Sequence, residues 1–217
     1  MEWLYPTRFT DRWGSEVATM RNDGTDLSVM LRGVQFSGPD FDTLEAAPHT
    51  TKESLAKFMV SFGRLCSCVL DVDIETPVLV GDEEQTGILA VHLELGEPTQ
   101  SGALDRETLR LSLRVNCNEY SSEGADGFFE SELQSLQRRI PMGVKLKMCF
   151  SCAYSDYHPV GHGLFGDMAC FRNAKAEYLC VRDKSDIFRV WNKGERVQET
   201  YLCTEFSPRK PNTGHRG

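Results

Sequence analysis

The chain has 217 residues, of which 40% are hydrophobic and 26% are charged, as is usual for a globular protein. No apolar run is long enough to cross a bilayer, so the composition excludes an integral helical membrane protein. The N-terminus lacks the basic segment and apolar core of a signal peptide, which predicts a cytoplasmic protein. In that compartment the eight cysteines would be thiols or metal ligands rather than a disulfide framework.

The charge is divided unevenly along the chain. Residues 1–140 hold 12 Lys and Arg against 24 Asp and Glu, whereas residues 141–217 hold 12 against 8. An acidic surface repels nucleic acid and attracts cationic partners, so we expect a basic protein partner, no nucleic acid and no membrane. The alternative is that these carboxylates are ordinary solvated surface charges that bind no partner.

Antiparallel strands are predicted throughout the acidic part. Residues 15–21 and 26–32 flank Asn22-Asp23-Gly24, and Asp-Gly between two strand-like runs indicates a hairpin. A weak helical pattern covers residues 45–63. Strict alternation of apolar and polar side chains, typical of antiparallel strands with one wet face, then predicts three strands, at 65–75, 88–95 and 108–117.

A helix and shorter elements are predicted after these strands. Residues 127–140 carry apolar side chains at helical spacing and should form a helix that covers the sheet. The pattern then predicts a strand at 144–151 with Cys149 on its polar face. Two short helices follow at 173–181 and 185–192, and a last strand covers 197–206.

These elements predict a β-rich α+β fold. We expect an antiparallel sandwich or strongly curved sheet, a few covering helices and a C-terminal cysteine-bearing, zinc-type subregion. The predicted organisation is a single domain over residues 1–217, with an acidic β-rich part at 1–140 and the cysteine-bearing part at 141–217.

Four cysteines form the predicted metal site. Cys149 and Cys152 have the C-x2-C spacing that places two thiolates on one turn, within reach of one zinc ion. Cys170 and Cys203 complete a four-thiolate structural site, with Cys180, His158 or His162 as alternatives for the fourth ligand. The competing interpretation is that these are reduced core cysteines.

Two sets of residues in the sequence also allow a catalytic interpretation of these cysteines. His92-Leu93-Glu94 and the C-x2-C pair resemble the motifs of zinc nucleobase deaminases, but Met148 replaces the expected proline and His92 lies in a strand-like segment. A Cys-His-Asp nucleophile set can also be assembled, from Cys149 or Cys170, His158 or His162, and Asp156 or Asp167. The alternative function is therefore a zinc- or cysteine-dependent enzyme, hydrolase or deaminase-like, acting on a small polar substrate.

A glycine-hinged aromatic loop follows the C-x2-C pair. Aromatic side chains on a preorganised loop are typical of binding surfaces, although such a loop can also pack against its own domain. The predicted interaction loop comprises Tyr154, Asp156, Tyr157, His158, His162 and Phe165.

Several of these stretches resemble an uncharacterised bacterial family, a domain of unknown function. They are Gly33-Val-Gln-Phe-Ser-Gly38, Cys149-x2-Cys152-Ala-Tyr-Ser-Asp-Tyr, Gly-Leu-Phe-Gly-Asp-Met-Ala-Cys170 and Val-Gln-Glu-Thr-Tyr-Leu-Cys203. The resemblance implies no known activity, but it implies that the four candidate zinc ligands are family positions while the other cysteines are incidental. In size and acidity such proteins resemble immunity partners of bacterial toxins. We therefore expect a non-enzymatic protein-binding module with a structural zinc site.

Overall fold

The computed structural model describes residues 2–124 and 127–216. Met1, Ala125, Asp126 and Gly217, which belong to the predicted ranges 1–140 and 141–217, lie outside the described residues. The chain forms two compact units. The first comprises Met1–Glu75 and Gly87–Pro141, and the second comprises Thr76–Thr86 and Met142–Gly217. The fold is β-rich α+β, as the alternation predicted.

A long antiparallel sheet dominates the fold. Its first eleven strands are β1 (Trp3–Asp11), β2 (Gly14–Asn22), β3 (Leu27–Leu31), β4 (Val34–Gly38), β5 (Glu45–Ala46), β6 (Val60–Ser61), β7 (Arg64–Leu65), β8 (Cys68–Val80), β9 (Glu83–Leu95), β10 (Glu107–Val115) and β11 (Asn118–Ser121). Their order across the sheet is β11-β10-β9-β8-β1-β2-β3-β4-β5-β7-β6. The strands form one open antiparallel sheet, so the sandwich, one of the two predicted arrangements, is wrong.

The predicted hairpin is confirmed as β2 and β3, which pair with Met20 opposite Val29. The Asp23 carboxylate accepts hydrogen bonds from the backbone N–H groups of Thr25 and Asp26, and Gly24 has a φ of 95°. The local turn chemistry therefore determines this pairing.

The core of the first unit lies on the apolar face of its strands. Inward residues of β8, β9 and β10 are almost completely buried, which the period-two pattern predicted. Helix α2 (Phe129–Arg139) packs on β10, as expected of the predicted covering helix. The Phe129 ring stacks on the Phe41 ring, with centroids 5.8 Å apart.

The weak helical prediction at residues 45–63 is largely wrong. Only one short helix, α1 (Lys52–Leu55), forms there, and Thr51 caps it by accepting a hydrogen bond from the Ser54 N–H. Phe62 and Gly63 then adopt positive φ values of 50° and 85°, which a helix cannot accommodate.

The second unit contains small elements. They are β12 (Val144–Leu146), β13 (Ser155–Tyr157), β14 (Met168–Cys170), α3 (Lys175–Tyr178), α4 (Lys184–Val190), β15 (Glu195–Val197) and 3₁₀ turns at Cys149–Ser151, Arg172–Ala174 and Trp191–Lys193. β12 pairs with the outer end of β8, and a three-stranded sheet has the order β13-β14-β15. None of the helices within the described residues is long and apolar enough to cross a membrane.

Two predicted strands of this unit are shorter than expected. The strand predicted at 144–151 ends at Leu146, and Cys149 is buried rather than placed on an outward face. The strand predicted at 197–206 ends at Val197. The carbonyls of Glu199 and Tyr201 instead accept hydrogen bonds from the backbone N–H groups of Phe150 and Cys149. The two stretches therefore satisfy each other's backbone groups outside any regular sheet.

Candidate functional site

The C-x2-C pair lies on a tight turn. Residues Cys149–Ser151 form a 3₁₀ turn, and the Cys152 N–H donates to the Cys149 carbonyl at 3.0 Å. The Cys149 N–H donates to the Tyr201 carbonyl at 2.6 Å, and Cys152 forms an isolated β-bridge with Pro208. These bonds hold the segment from residue 201 to residue 208, which contains Cys203, beside the pair.

Cys170 contacts Cys149 directly. It ends β14, where it lies opposite Ser155 of β13, and the Ser155 hydroxyl donates to the Cys149 carbonyl. The Cys149 and Cys170 thiols lie close enough to share a hydrogen bond, and the Arg172 backbone N–H lies beside the Cys170 sulfur. This hydrogen bond and burial raise the pKa of Cys149. The same hydrogen bond, with the Arg172 donor, lowers the pKa of Cys170.

The other two predicted ligands belong to the same neighbourhood. Cys152 and Cys203 both lie close enough to Cys149 for their charges to raise its pKa. Cys152 is buried and Cys203 is partly exposed. Cys180 is exposed, and its thiol donates to the Ala176 carbonyl on α3.

The residues present match zinc in donor chemistry but not in their present arrangement. All eight cysteines are free thiols. Thiolates are the ligands that structural zinc prefers. Within residues 2–124 and 127–216, however, no three His, Cys, Asp or Glu side chains are placed to hold one metal ion.

Half of the predicted interaction loop is buried. Asp156, Tyr157 and Phe165 are inaccessible, and Tyr154 lies beneath the Lys175 ammonium, 4.9 Å from its ring centroid. His158 and His162 are partly exposed. Most of this segment therefore packs within its own unit, and its accessible part is around the two histidines.

Asp156 is held by the C-terminal segment. Its carboxylate accepts hydrogen bonds from the Tyr178 hydroxyl at 2.9 Å, the Arg216 Nε at 2.9 Å and the His215 backbone N–H at 3.1 Å. The Arg216 guanidinium also lies over the Tyr157 ring. Asp156 therefore forms a buried ion pair, which assigns it a structural role.

Glu199 is a buried carboxyl that the sequence pattern did not indicate. Its oxygens accept hydrogen bonds from the Tyr157 hydroxyl at 2.9 Å and the Gly166 N–H at 2.7 Å. Burial raises the pKa of Glu199 to about 7, although these donors and nearby His162 oppose the shift. A period-two reading of 197–206 places Glu199 in a strand, so no sequence signal marks it as buried.

An open cavity of about 340 Å³ lies in the second unit. His158 lines it together with Trp191 and Arg196, two residues that no sequence motif indicates. No spacing motif connects these three residues, since they come from a loop, a 3₁₀ turn and a strand. The cavity identifies them as candidate ligand contacts.

The residues of the deaminase-like motif have a different environment. His92 lies on β9, in the first unit, and its Nδ1 is 2.6 Å from the Asp71 carboxylate. Glu94 lies 3.6 Å from His92 Nε2 and also pairs with Arg106. These side chains form a polar network on the exposed face of the sheet.

The comparison with protein families identifies the relationship that the sequence suggested. A model described as a family of unknown function (DUF6304) matches residues 3–155. The chain belongs to this family. Neither the curated proteins nor the solved structures gave a match.

The DUF6304 match covers only part of the cysteine cluster. It includes Cys149 and Cys152 and ends at residue 155, so Cys170 and Cys203 lie beyond it. It also includes β1–β12 and α2, and therefore most of the acidic part of the chain. In this DUF6304 protein, the cluster combines a thiol pair within the family match and two thiols outside it.

Proposed function

We propose that this DUF6304 protein is a non-enzymatic binding module of the bacterial cytoplasm. A structural zinc ion closes its C-terminal cysteine cluster, and its acidic first unit binds a basic protein. An immunity-type neutraliser of a basic toxin has this combination of charge and small size. The convergence of Cys149, Cys152, Cys170 and Cys203 in one neighbourhood carries the zinc part of the proposal.

Three of these thiols are buried on segments with little regular structure. Cys149 and Cys152 lie on one turn, whereas Cys170 and Cys203 come from segments much further along the chain. A metal that joins such segments contributes its binding free energy to folding. The Arg172 N–H beside Cys170 favours the deprotonated sulfur that a metal needs. Bound zinc would cross-link these segments. The chain supplies the four thiolates, and the Arg172 N–H stabilises the thiolate of Cys170.

The acidic partner surface is supported by charge. Residues 1–140 carry twice as many Asp and Glu as Lys and Arg. Asp73 and Glu75 project from the exposed face of β8; Asp73 pairs with Arg114 at 2.6 Å, whereas Glu75 forms no ion pair among the described residues. Complementary charge speeds association and selects partners, with an effect that weakens as salt rises.

Metal content tests the zinc. The protein is purified without added metal, and its zinc is measured by elemental mass spectrometry while reactive thiols are counted before and after chelation. We expect about one zinc per chain and the release of about four thiols by the chelator. A metal-free protein whose Cys149 or Cys152 is alkylated at once would contradict the structural zinc and favour a reactive-cysteine enzyme.

Affinity capture tests the partner. Wild type, Asp73→Asn/Glu75→Gln and a control, Glu177→Gln/Glu205→Gln, are used as baits in lysate of the source cells. The control also removes two exposed carboxylates, but from the second unit. We expect one basic protein to be retained by wild type and control, and to be lost from the first-unit variant and in high salt. Equal retention by all three baits would contradict docking on this surface.

A cysteine-dependent enzyme is the second candidate, because Cys170 has a lowered pKa. The side chains that act on Cys170 are Cys149, Arg172 and Glu195, and the thiol itself is buried. A nucleophile must reach its substrate, so this environment suits a metal ligand better. Rapid alkylation of Cys170 in the folded protein would favour the enzyme.

A further inference from the structure

The cavity at the end of the three-stranded sheet has the dimensions of a ligand site. It lies where β13 ends and β14 begins, and its volume is about 340 Å³. Pockets that hold small molecules usually range from about 300 to 1,000 Å³. Its lining includes His158, Asp167, Met168, Ala169, Trp191 and Arg196.

Two hydrogen-bond donors on the cavity lining are unused. Arg196 donates through Nε to the Gly166 carbonyl at 2.9 Å and through Nη2 to Asp167 at 2.8 Å. Its Nη1 makes no hydrogen bond to any residue that the structure describes. His158 Nδ1 accepts a hydrogen bond from the Val160 N–H at 3.3 Å, which leaves Nε2 as the donor atom of the ring. That Nε2–H also has no partner in the described chain.

The charges beside these donors favour a ligand with one negative charge over a ligand with two. Asp167 is fixed by Arg196 and by the Gly163 N–H, which donates to its other oxygen at 2.6 Å. Its carboxylate balances the Arg196 charge and would repel a dianion such as a phosphate ester about twice as strongly as a monoanion. Two donors match the two oxygens of a carboxylate, whereas a phosphate group presents three oxygens and more charge.

The rest of the cavity wall is aromatic and apolar. The Trp191 and His158 rings meet edge to face, with centroids 4.7 Å apart, and this contact orients both rings. Met168 and Ala169 add apolar surface. A flat, apolar body therefore fits this wall better than a sugar or a polyol, whose hydroxyls would lose hydrogen bonds to water there.

We propose that this cavity binds a small monocarboxylate that carries a planar ring. The carboxylate accepts hydrogen bonds from Arg196 and His158, and the ring packs against Trp191. The site uses none of the four cysteines of the proposed zinc cluster and no residue of the acidic docking surface.

Titration with benzoate, followed by saturation-transfer NMR, tests the site on the full-length protein. Acetate has the carboxylate without the ring, and phenyl phosphate has the ring with a second negative charge. We expect saturable benzoate binding, and binding of acetate and phenyl phosphate that is weaker by about tenfold or more. Tighter binding of phenyl phosphate, or equal binding of acetate, would overturn the ligand class.

Variants tie the binding to this cavity. We expect Arg196→Gln and Trp191→Leu each to weaken benzoate by about tenfold, since one removes the charged donor and the other the ring wall. Arg189→Gln, on α4 and largely exposed, is the matched control and should bind as wild type does. His158→Gln is a further variant in case loss of Trp191 disturbs folding, which circular dichroism monitors. No saturable binding by wild type, or benzoate affinity unchanged in Arg196→Gln and His158→Gln, would overturn the proposal.

Discussion

The Tyr157 hydroxyl donates a 2.9 Å hydrogen bond to Glu199 Oε1, joining two buried side chains that are 42 positions apart. The Gly166 N–H donates to the other carboxyl oxygen. Burial outweighs these donors and raises the pKa of Glu199 to about 7, from a usual value of 4.5. The carboxyl therefore changes charge near neutral pH inside the second unit.

This raised pKa predicts a pH dependence of stability. Between its unfolded and folded pKa values, Glu199 binds more protons in the folded protein than in the unfolded chain. Its contribution to the free energy of unfolding is therefore greatest below about pH 4.5 and falls as pH rises to about 7. A shift of this size corresponds to about 3 kcal/mol. We expect Glu199→Gln to abolish this pH dependence in urea unfolding measured from about pH 5 to pH 8.

Glu177→Gln is the control for this prediction. Glu177 is exposed, and its hydrogen bond to Lys193 lowers the pKa of its carboxyl. Its small contribution to stability is present above the unfolded pKa and is lost as pH falls, which is the opposite direction. A constant stability difference between wild type and Glu199→Gln across this range would show that Glu199 stays charged.

The sequence predicts the long strands and the covering helix because local patterns determine them. The β2–β3 hairpin follows from Asp23-Gly24, and β8 and β10 follow from strict alternation. The sequence does not predict β1, although Tyr5, Thr7 and Phe9 point inward at period two, because Pro6 lacks a backbone N–H and counts against a strand. Strand β1 is defined by its pairing with β2 and β8, which no local pattern contains.

The candidate site is predicted less completely. C-x2-C spacing identified Cys149 and Cys152, and the fold brings Cys170 and Cys203 near them. The sequence does not predict the Tyr157–Glu199 and Asp156–Arg216 contacts, because each joins residues more than forty positions apart. Short segments without regular secondary structure carry most of these groups, and such segments leave no periodic signal.

Arg216 should matter for stability although it lies near the end of the chain. It is 8% exposed and pairs with the fully buried Asp156. Removing one partner of a buried ion pair leaves an uncompensated charge, so Arg216→Met should lower the free energy of unfolding by about 3 kcal/mol. Urea denaturation measures this change.

A double-mutant cycle separates the ion pair from the packing of Arg216. Asp156→Asn/Arg216→Met should lose less stability than the sum of the two single variants, since no buried charge remains unpaired. Arg189→Met removes an exposed pair with Asp186 and should change stability by less than about 1 kcal/mol. If the stability losses of Asp156→Asn and Arg216→Met simply add in the double variant, the two side chains are not energetically coupled.

Two adjacent phenylalanines test the packing of α2. Phe129 is fully buried and stacks on Phe41, whereas Phe128 is 43% exposed. We expect Phe129→Ala to lower the free energy of unfolding by about 3–5 kcal/mol, because it leaves a cavity in the core. Phe128→Ala should cost less than half as much. Equal losses in chemical denaturation would contradict the register of the helix.

Cys203→Ser tests whether the partly exposed thiol is the fourth zinc ligand. If zinc is bound by four thiolates, the variant should bind it more weakly, and each hundredfold loss of affinity lowers stability by about 2.7 kcal/mol. Thermal melting should therefore separate Cys203→Ser from wild type in zinc, and the two should melt together after chelation. Cys180→Ser is the matched control, because that thiol is exposed and donates to the Ala176 carbonyl. If Cys180→Ser rather than Cys203→Ser is destabilised, Cys180 is the fourth ligand. If neither variant differs from wild type in zinc, a thiolate site that includes Cys180 or Cys203 is contradicted.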